Sequence, residues 1–278
     1  MRAASRESLA DLRSHLVETV SSRASQGADV TEIWPALAGE LRDVARLLAA
    51  EPGLRRSLAD PTRQPDARAR LLDTLFKQRV SAIGLAILDA AVRERWSSAG
   101  DLLDTIELLA IDAELEFAAG SDSLAEVEDE LFRFNQIVLA HPDLLGTLGD
   151  STVDVAQRAG LIETLLRAKA QPVTTRLVIM ALYGLGGRSF PSGLARLVEL
   201  VAQRRESQVA YVRTVVALTP EQETQLTDHL NRVYGQKISL KVRLDPSLVG
   251  GAIVEIGDDR YDGSVARLLE QARTKLAA

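Results

Sequence analysis

The sequence predicts a mainly α-helical protein in which two tandem copies of a small helical-bundle module precede a small α/β domain. Ala and Leu dominate the composition, and aromatic residues make up only 4% of it. The chain also repeats itself at an offset of 90 residues, and β-branched alternating segments begin near residue 208. For the 278 residues we therefore predict a first module at 1–100, a second module at 101–207 and an α/β domain at 208–278.

Composition and charge exclude several classes of protein. Ala and Leu lose little side-chain entropy in helices, whereas a β-sandwich would be richer in Val, Ile, Tyr and Thr. The net charge of −6 fits neither a nucleic-acid binder nor a protein that binds anionic lipid through basic clusters. The absence of cysteine excludes disulfides and thiolate metal sites and is typical of a reducing cytoplasm. No apolar run approaches the ~20 residues of a membrane span, so we expect no direct membrane insertion.

The repeat is clearest around a proline-containing break between helices. Residues 47–60 (LLAAEPGLRRSLAD) align without a gap with residues 137–150 (IVLAHPDLLGTLGD). Matching pairs include Pro52 with Pro142, Leu54 with Leu144, Leu58 with Leu148, Asp60 with Asp150, Arg68 with Arg158, Thr74 with Thr164 and Leu75 with Leu165. Because Pro, Asp and Thr match as well as Leu, a duplicated module explains the pattern better than chance similarity between two Leu-rich helices.

Hydrophobic spacing predicts the helices of both modules in order. Leu9, Leu12, Leu16 and Val20 recur every three or four residues, the spacing of one helix face. The same spacing predicts helices at 33–48, 71–76, 81–94 and 101–118, and then at 124–138, 161–166, 172–185 and 194–201. We expect the break at 51–53 to end the second helix, because proline cannot continue a helix. The helix at 101–118 is predicted to end the first module and to open the second.

The α/β domain is predicted from a change of pattern near residue 208. Residues 208–218 (QVAYVRTVVAL) are β-branched and roughly alternating, which predicts a strand. Thr219, Pro220 and Gln222 then form a capping box with proline at the first helical position, and the helix is expected to end at Gly235. Further elements are predicted as strands at 238–244 and 252–256, a turn at 257–259 and a closing amphipathic helix at 265–276.

No arrangement of residues points to catalysis, a cofactor or a metal ion. His15, His141 and His229 lie far apart and lack the i±3 or i±4 partner that metal sites commonly use. The glycine-rich segment 184–188 (GLGGR) follows a helix rather than a strand and lacks the Walker spacing, so it predicts a turn rather than a phosphate loop. We therefore predict a protein that is not an enzyme and that has no cofactor.

Charge is distributed unevenly along the chain. No lysine or arginine occurs between Arg95 and Arg133, a stretch that holds eleven acidic residues. By contrast, basic residues crowd the first module between Arg55 and Arg79. Two interpretations of the acidic stretch stay open: a solvated helix face, or an acidic surface that binds a basic partner.

The last part of the chain carries a resemblance to a known family. Residues 242–258 read VRLDPSLVGGAIVEIGD, and YDGSV follows at 261–265. This pattern resembles the signature of delta subunits of F-type ATP synthases, the family that includes the mitochondrial oligomycin-sensitivity-conferring protein. The residues that carry it are Asp245, Pro246, Leu248, Gly250, Gly251, Gly257, Asp262, Gly263 and Ser264. We expect Asp245, Gly250, Gly251, Asp262 and Gly263 to form turns and caps that set the C-terminal fold rather than to make partner contacts, and Asp262 or Ser264 to cap the final helix.

The resemblance implies a long, actinobacterial form of the subunit. The second module looks like the usual helical domain of the family, whereas the first module is an extra insertion. In some relatives a stalk helix with a membrane anchor precedes such a long subunit. Here the chain begins without one, so it resembles a stand-alone subunit.

What the resemblance implies about function is a mechanical role without catalysis. Family members cap the catalytic headpiece of alpha and beta subunits by binding the N-terminal helices of alpha subunits. Their C-terminal domain binds the C-terminal region of the b subunit. The resulting peripheral stalk keeps the headpiece from turning with the rotor of the proton-translocating enzyme. The implied location is the cytoplasmic face of the cell membrane, as a peripheral part of the complex, with no nucleic-acid partner.

The resemblance also implies where the alpha helix docks, which is beside the first and fifth helices of the helical domain. These helices correspond to 5–24 and 81–94 in the first module and to 103–118 and 172–185 in the second. The candidate contacts in the second module are Ile111, Leu115, Leu177 and Met180. For these four side chains, the alternative that stays open is that they simply fill the module core. For the whole protein, the open alternative is a generic helical-repeat adaptor unrelated to ATP synthase.

Overall fold

The fold is mainly helical, with a small α/β part near the C-terminus, as predicted. The computed structural model describes residues 2–206, 209–235, 238–245, 248, 250–256 and 259–262. By its internal contacts the chain divides into two compact units, Met1–Val198 and Glu199–Ala278. The predicted division into three domains, at 1–100, 101–207 and 208–278, stays a prediction.

Twelve α-helices run through the described residues. They are α1 (Ala3–Ser25), α2 (Val30–Ala50), α3 (Pro52–Ala59), α4 (Pro65–Phe76), α5 (Ala82–Arg93), α6 (Ala99–Gly120), α7 (Leu124–Ala140), α8 (Pro142–Gly149), α9 (Val155–Leu166), α10 (Pro172–Leu182), α11 (Phe190–Glu206) and α12 (Pro220–Tyr234). A short 3-10 helix, Leu185–Gly187, separates α10 from α11. The spacing of apolar residues therefore predicted the long helices, with ends that differ from the observed ones by up to six residues.

The short helices α3 and α8 are absent from the prediction. Pro52 and Pro142 each stand in the first turn of their helix, where the missing N–H of proline costs no hydrogen bond. The preceding helices end at Ala50 and Ala140. Each proline therefore both stops one helix and begins another, and the prediction recognised only the first effect.

The sequence repeat is also a repeat of structure. The helix pairs α2–α3, α4–α5 and α1–α5 of the first module have counterparts in the contacts α7–α8, α9–α10 and α6–α10 of the second. Side chains repeat as well. The N–H of Thr62 donates to Asp60 as the N–H of Thr152 donates to Asp150, each at 2.9 Å. The N–H of Ser81 donates to Glu40 as the N–H of Gln171 donates to Glu130, again at 2.9 Å.

Helix α6 is shared by the two modules. It packs most extensively against α2 and also contacts α1, α3, α5, α7 and α10. Its buried residues include Leu102, Leu103, Ile106, Leu109, Ala110, Ile111 and Ala113, which cover more than one face of the helix. A helix that is apolar around most of its circumference belongs in a core. Its contacts with helices on both sides of residue 100 fit the prediction that α6 closes the first module and opens the second, which stays a prediction.

The second compact unit contains a four-stranded mixed sheet. Its strands are β1 (Val209–Thr214), β2 (Ser239–Leu244), β3 (Ala252–Ile256) and β4 (Asp259–Asp262), in the order β2-β1-β3-β4. β1 and β2 are parallel, so the chain must cross over between them, and α12 provides the crossover. The other pairs are antiparallel. The core of the unit consists of Ala210, Val212, Leu230, Ile238, Val254 and Ile256.

Some boundaries of the α/β part differ from the prediction. β1 ends at Thr214, whose hydroxyl donates to the carbonyl of Val216 at 2.6 Å, so the predicted strand at 208–218 is too long. Asp259 was assigned to a turn but begins β4 and pairs with Ile256. The capping box of Thr219 and Gln222 is confirmed. The predicted helix at 265–276 lies outside the described residues.

Candidate partner-binding surfaces

The four residues predicted to bind the alpha helix lie in the packed interior. Ile111 and Leu177 are fully buried, Leu115 is 1% exposed and Met180 is 6% exposed. Ile111 and Leu115 belong to α6, and Leu177 and Met180 belong to α10, which contacts α6. Their binding to a partner stays a prediction. Such burial favours the alternative that they fill the core, because direct contact would require α6 and α10 to move apart.

The contact between α6 and α10 contains a buried ion pair. Nε and Nη2 of Arg176 donate to the two carboxylate oxygens of Glu114 at 2.6 and 2.7 Å. The side chain of Glu114 is only 1% exposed, and that of Arg176 is 28% exposed. A bidentate pair of this kind fixes the relative orientation of both helices and is stronger than a neutral hydrogen bond. The two residues are 62 positions apart, so no local pattern in the sequence announces the pair.

Several carboxylates of the acidic stretch are used inside the first compact unit. Asp112 accepts from Arg13 of α1 at 2.8 Å, and Asp101 accepts from the hydroxyl of Ser5 at 2.6 Å. Glu114 is held by Arg176, as described above. These three carboxylates connect α6 to α1 and α10. For them, neither a solvated face nor a seat for a basic partner is needed to explain the charge.

A cavity of about 310 Å³ opens between α2, α6 and the end of α10. Its lining consists of Arg42, Ala45, Arg46, Ala49, Ala50, Glu107, Met180, Tyr183 and Leu185. The guanidinium of Arg46 lies 3.5 Å from the centre of the Tyr183 ring, which is a cation–π contact. Burial lowers the pKa of Arg46 from its usual value. Of the four predicted contact residues, Met180 lines this cavity.

The glycine-rich turn after α10 binds an anion that belongs to the chain itself. The N–H of Gly186 donates to the carboxylate of Glu107 on α6 at 2.7 Å. Gly186 has a φ of 59°, and a Cβ at this position would meet the guanidinium of Arg188. Burial, with a smaller contribution from the nearby Asp104, raises the pKa of Glu107 to about 7. The Gly186 N–H and Arg188 act in the opposite direction.

Glu107 gives a prediction for the pH dependence of stability. Its pKa is raised in the folded chain from 4.5 to about 7, so the folded state holds the proton more tightly than the unfolded state. The stabilisation is therefore complete below pH 4.5 and is lost as the pH rises to about 7. This loss amounts to at most about 3 kcal/mol. We expect Glu107→Gln to remove this part of the pH dependence and to stabilise the chain at about pH 8.

Urea unfolding of the wild-type chain and of Glu107→Gln at about pH 5 and about pH 8 measures this difference. The glutamine retains an oxygen that can accept the Gly186 N–H. Glu163→Gln, at an exposed position of α9, is the matched control and should change neither value. Equal pH dependence of the wild-type chain and Glu107→Gln would contradict the prediction.

The signature residues that the structure describes occupy turns and strand ends. The N–H of Asp245 donates to the carbonyl of Thr214 at 2.8 Å, and its carboxylate accepts from Arg213 at 3.3 Å. The N–H of Leu248 donates to the Asp245 carbonyl at 3.2 Å. Gly251, immediately before β3, has a φ of 81° that favours glycine. Asp262 ends β4.

The remaining described signature residue, Gly250, precedes Gly251 in the same connection. Pro246, Gly257, Gly263 and Ser264 lie outside the described residues. The role of the signature residues in setting the C-terminal fold rather than in binding a partner stays a prediction.

Exposed apolar side chains on the second unit escaped the sequence analysis. Val216, Val233, Leu244 and Tyr261 are each more than half exposed, and Tyr211 is 46% exposed. The strand alternation contains part of the signal, because Tyr211 must face away from its buried neighbours Ala210 and Val212. Exposed apolar groups of this size are candidates for contact with another protein.

Comparison with known proteins identifies the family. Residues 111–276, more than half of the chain, match the family described as ATP synthase delta (OSCP) subunit. The chain belongs to this family. The match begins inside α6, so the whole of the first module at 1–100 lies outside it. Membership contradicts the alternative of a helical-repeat adaptor unrelated to ATP synthase.

Delta subunits that match nearly the whole chain extend the similarity through the first module. The ATP synthase subunit delta of Salinispora arenicola is 46% identical over 91% of this chain and 92% of the relative. The subunit of Salinispora tropica is 43% identical over 99% and 98%, and that of Streptomyces avermitilis is 39% identical over 99% and 98%. These delta subunits therefore contain a counterpart of the first module. Among the described helices, none is both long and apolar enough to cross a bilayer.

Proposed function

We propose that the chain is a non-catalytic peripheral-stalk subunit of a proton-translocating F-type ATP synthase. It would link the catalytic headpiece to the b subunit, so that the headpiece does not rotate with the rotor. The observation that carries the proposal is the family match over 111–276 together with relatives that are 46% and 43% identical over more than 90% of the chain. In the assembled enzyme, the chain would lie at the cytoplasmic face of the cell membrane as a peripheral subunit.

The packing of the first compact unit supports a role in transmitting force. Helix α6 contacts six other helices and belongs to both modules, so a load applied to one module reaches the other through a packed core. The buried pair of Arg176 and Glu114 ties α6 to α10. A stator must resist torque, and a rigid helical unit with charge-assisted contacts between its helices fits this requirement.

The partners are proposed separately for each unit. The helical modules would bind N-terminal helices of alpha subunits, beside α1 and α5 or beside α6 and α10. The second unit would bind the C-terminal region of b. Its exposed Val216, Leu244 and Tyr261 are suited to an apolar helix face.

A truncated chain tests this assignment of partners. We expect residues 1–207 to retain binding to the alpha–beta headpiece and to lose binding to the C-terminal region of b. The first compact unit, Met1–Val198, is intact in this truncation, as is α11. Co-purification with each purified partner is the measurement, and the full-length chain is the reference. Circular dichroism of the truncated chain should show that its helices remain. Retained binding to b would overturn the assignment, and failure of the full-length chain to bind either partner would overturn the stalk function.

A further inference from the structure

A groove of about 440 Å³ lies on the first module where α2, α3 and the end of α4 meet. Its lining consists of Leu47, Leu54, Asp73, Thr74, Leu75, Phe76, Lys77, Gln78 and Arg79. Phe76 is buried, Leu47 and Leu54 are half-buried and Leu75 is 39% exposed. We call this feature the α2–α4 groove. Neither α1 nor α5, the helices implied to bind the alpha subunit in this module, contributes to its lining.

The apolar residues of the α2–α4 groove recur in the second module. Leu47, Leu54 and Leu75 correspond to Ile137, Leu144 and Leu165 at the offset of 90 residues. Recurrence of core residues is expected of any duplication, because both copies must pack. Ile137, however, is 48% exposed, and Leu144 and Leu165 are half-buried. Aliphatic residues retained at surface positions of both copies indicate a face that is covered by another molecule.

Basic residues border the apolar surface. Lys77 and Arg79 line the groove and correspond to Arg167 and Lys169 in the second module. Lys77 is paired with Asp73 at 3.5 Å, whereas Arg79 forms no ion pair with any described residue. The position and the sign of this charge are therefore repeated along with the aliphatic residues.

The first module adds positive charge that the second lacks. Residues 52–80 contain seven basic and three acidic residues, whereas the equivalent residues 142–170 contain three and four. The extra basic residues include Arg55, Arg56 and Arg70, whose counterparts are Leu145, Gly146 and Gly160. Arg56 and Arg70 are exposed. These arginines are not among the lining residues, so the basic rim beside the apolar floor of the α2–α4 groove consists of Lys77, which pairs with Asp73, and Arg79.

We propose that the α2–α4 groove docks an acidic amphipathic helix of a partner protein. Its apolar residues, spaced three or four apart, would pack against Leu47, Leu54 and Leu75, as in other helix-in-groove complexes. Carboxylates on its flanks would face Lys77 and Arg79. Complementary charge of this kind sets the orientation and speed of binding. The proposal concerns a different surface from the one implied for the alpha helix, so its failure would leave the stalk function untouched.

The test uses the full-length chain and synthetic peptides of about 18 residues, long enough for five helical turns. One peptide carries a leucine stripe flanked by Glu, a second has Lys in place of Glu, and a third has the composition of the first in shuffled order. Fluorescence anisotropy gives their affinities. We expect the acidic helix to bind at least about tenfold more tightly than the other two, with weaker binding at high salt.

Variants locate the binding site. Lys77→Glu combined with Arg79→Glu should weaken binding of the acidic peptide about tenfold or more, and Leu75→Ser should also weaken it. The matched control is Arg167→Glu combined with Lys169→Glu, which should change the affinity by less than about twofold. All of these positions except Leu75 are on polar surface, and thermal melts check that each variant remains folded.

Three results would overturn the proposal. The first is equal affinity for acidic, basic and shuffled peptides. The second is an affinity that is insensitive to the variants of the first module, or equally sensitive to those of the second. The third is a dimer of the chain that Leu75→Ser dissociates in sedimentation, because a second copy would then occupy the groove.

Discussion

Replacing Leu177 with Asp is expected to unfold the first compact unit of the chain. Leu177 is fully buried on α10, where it faces the packed interior shared with α6. Removal of a buried leucine side chain alone costs about 2–5 kcal/mol. The carboxylate adds the cost of an unpaired charge in an apolar site, or of the proton that neutralises it. The total is comparable with the whole stability of a typical domain, about 5–15 kcal/mol.

Circular dichroism and urea unfolding of Leu177→Asp measure this effect directly. Leu139→Asp is the matched control, because Leu139 on α7 is 52% exposed and its substitution should change the free energy of unfolding by less than about 0.5 kcal/mol. The experiment also decides between the two interpretations of the predicted contact residues. A variant that keeps its stability but no longer binds the headpiece would show that Leu177 meets the alpha helix. Loss of the fold would assign it to the core.

The helices could be predicted because burial leaves a local signature in the sequence. One face of α1 or α7 must be apolar, so Leu12 and Leu16, or Val127 and Leu131, recur at helical spacing. The capping box at Thr219 is equally local, since all its atoms come from four consecutive residues. Proline at 52 and 142 was ambiguous for the same reason: a residue that stops one helix is also favoured at the start of the next.

The candidate surfaces were harder to predict because they depend on distant residues. Apolar spacing predicts that Ile111 and Leu177 are covered by other apolar groups, but it does not tell whether these belong to a partner or to a neighbouring helix. The residues that line the α2–α4 groove lie between Leu47 and Arg79 and come from three helices and the residues after α4. In the sequence, the groove is indicated only by aliphatic and basic positions that both modules share. Similarly, the acidic stretch between Arg95 and Arg133 left a solvated face and a basic partner as open interpretations, whereas Asp112 and Glu114 pair with arginines of the same chain.

Arg176→Met is expected to destabilise the first compact unit by about 2–4 kcal/mol. The substitution removes both hydrogen bonds to Glu114 but retains much of the apolar stem of the side chain. Glu114 is then left with 1% exposure and without the guanidinium that neutralises it. Breaking a buried pair in this way costs about 3–5 kcal/mol, and the 28% exposure of Arg176 reduces this value. Urea unfolding at neutral pH is the measurement.

A double-mutant cycle separates the buried charge from the lost packing. Arg176→Met combined with Glu114→Leu removes both charges, so much of the stability lost in the single variant should return. Arg13→Met is the comparison, because it breaks the ion pair with Asp112, in which the side chain of Arg13 is 43% exposed. This substitution should lower the free energy of unfolding by no more than about 1 kcal/mol. If Arg176→Met were no more damaging than Arg13→Met, the pair would not hold α6 against α10. The seam between these helices would then depend on its apolar contacts alone, and force could not be transmitted across it through the ion pair.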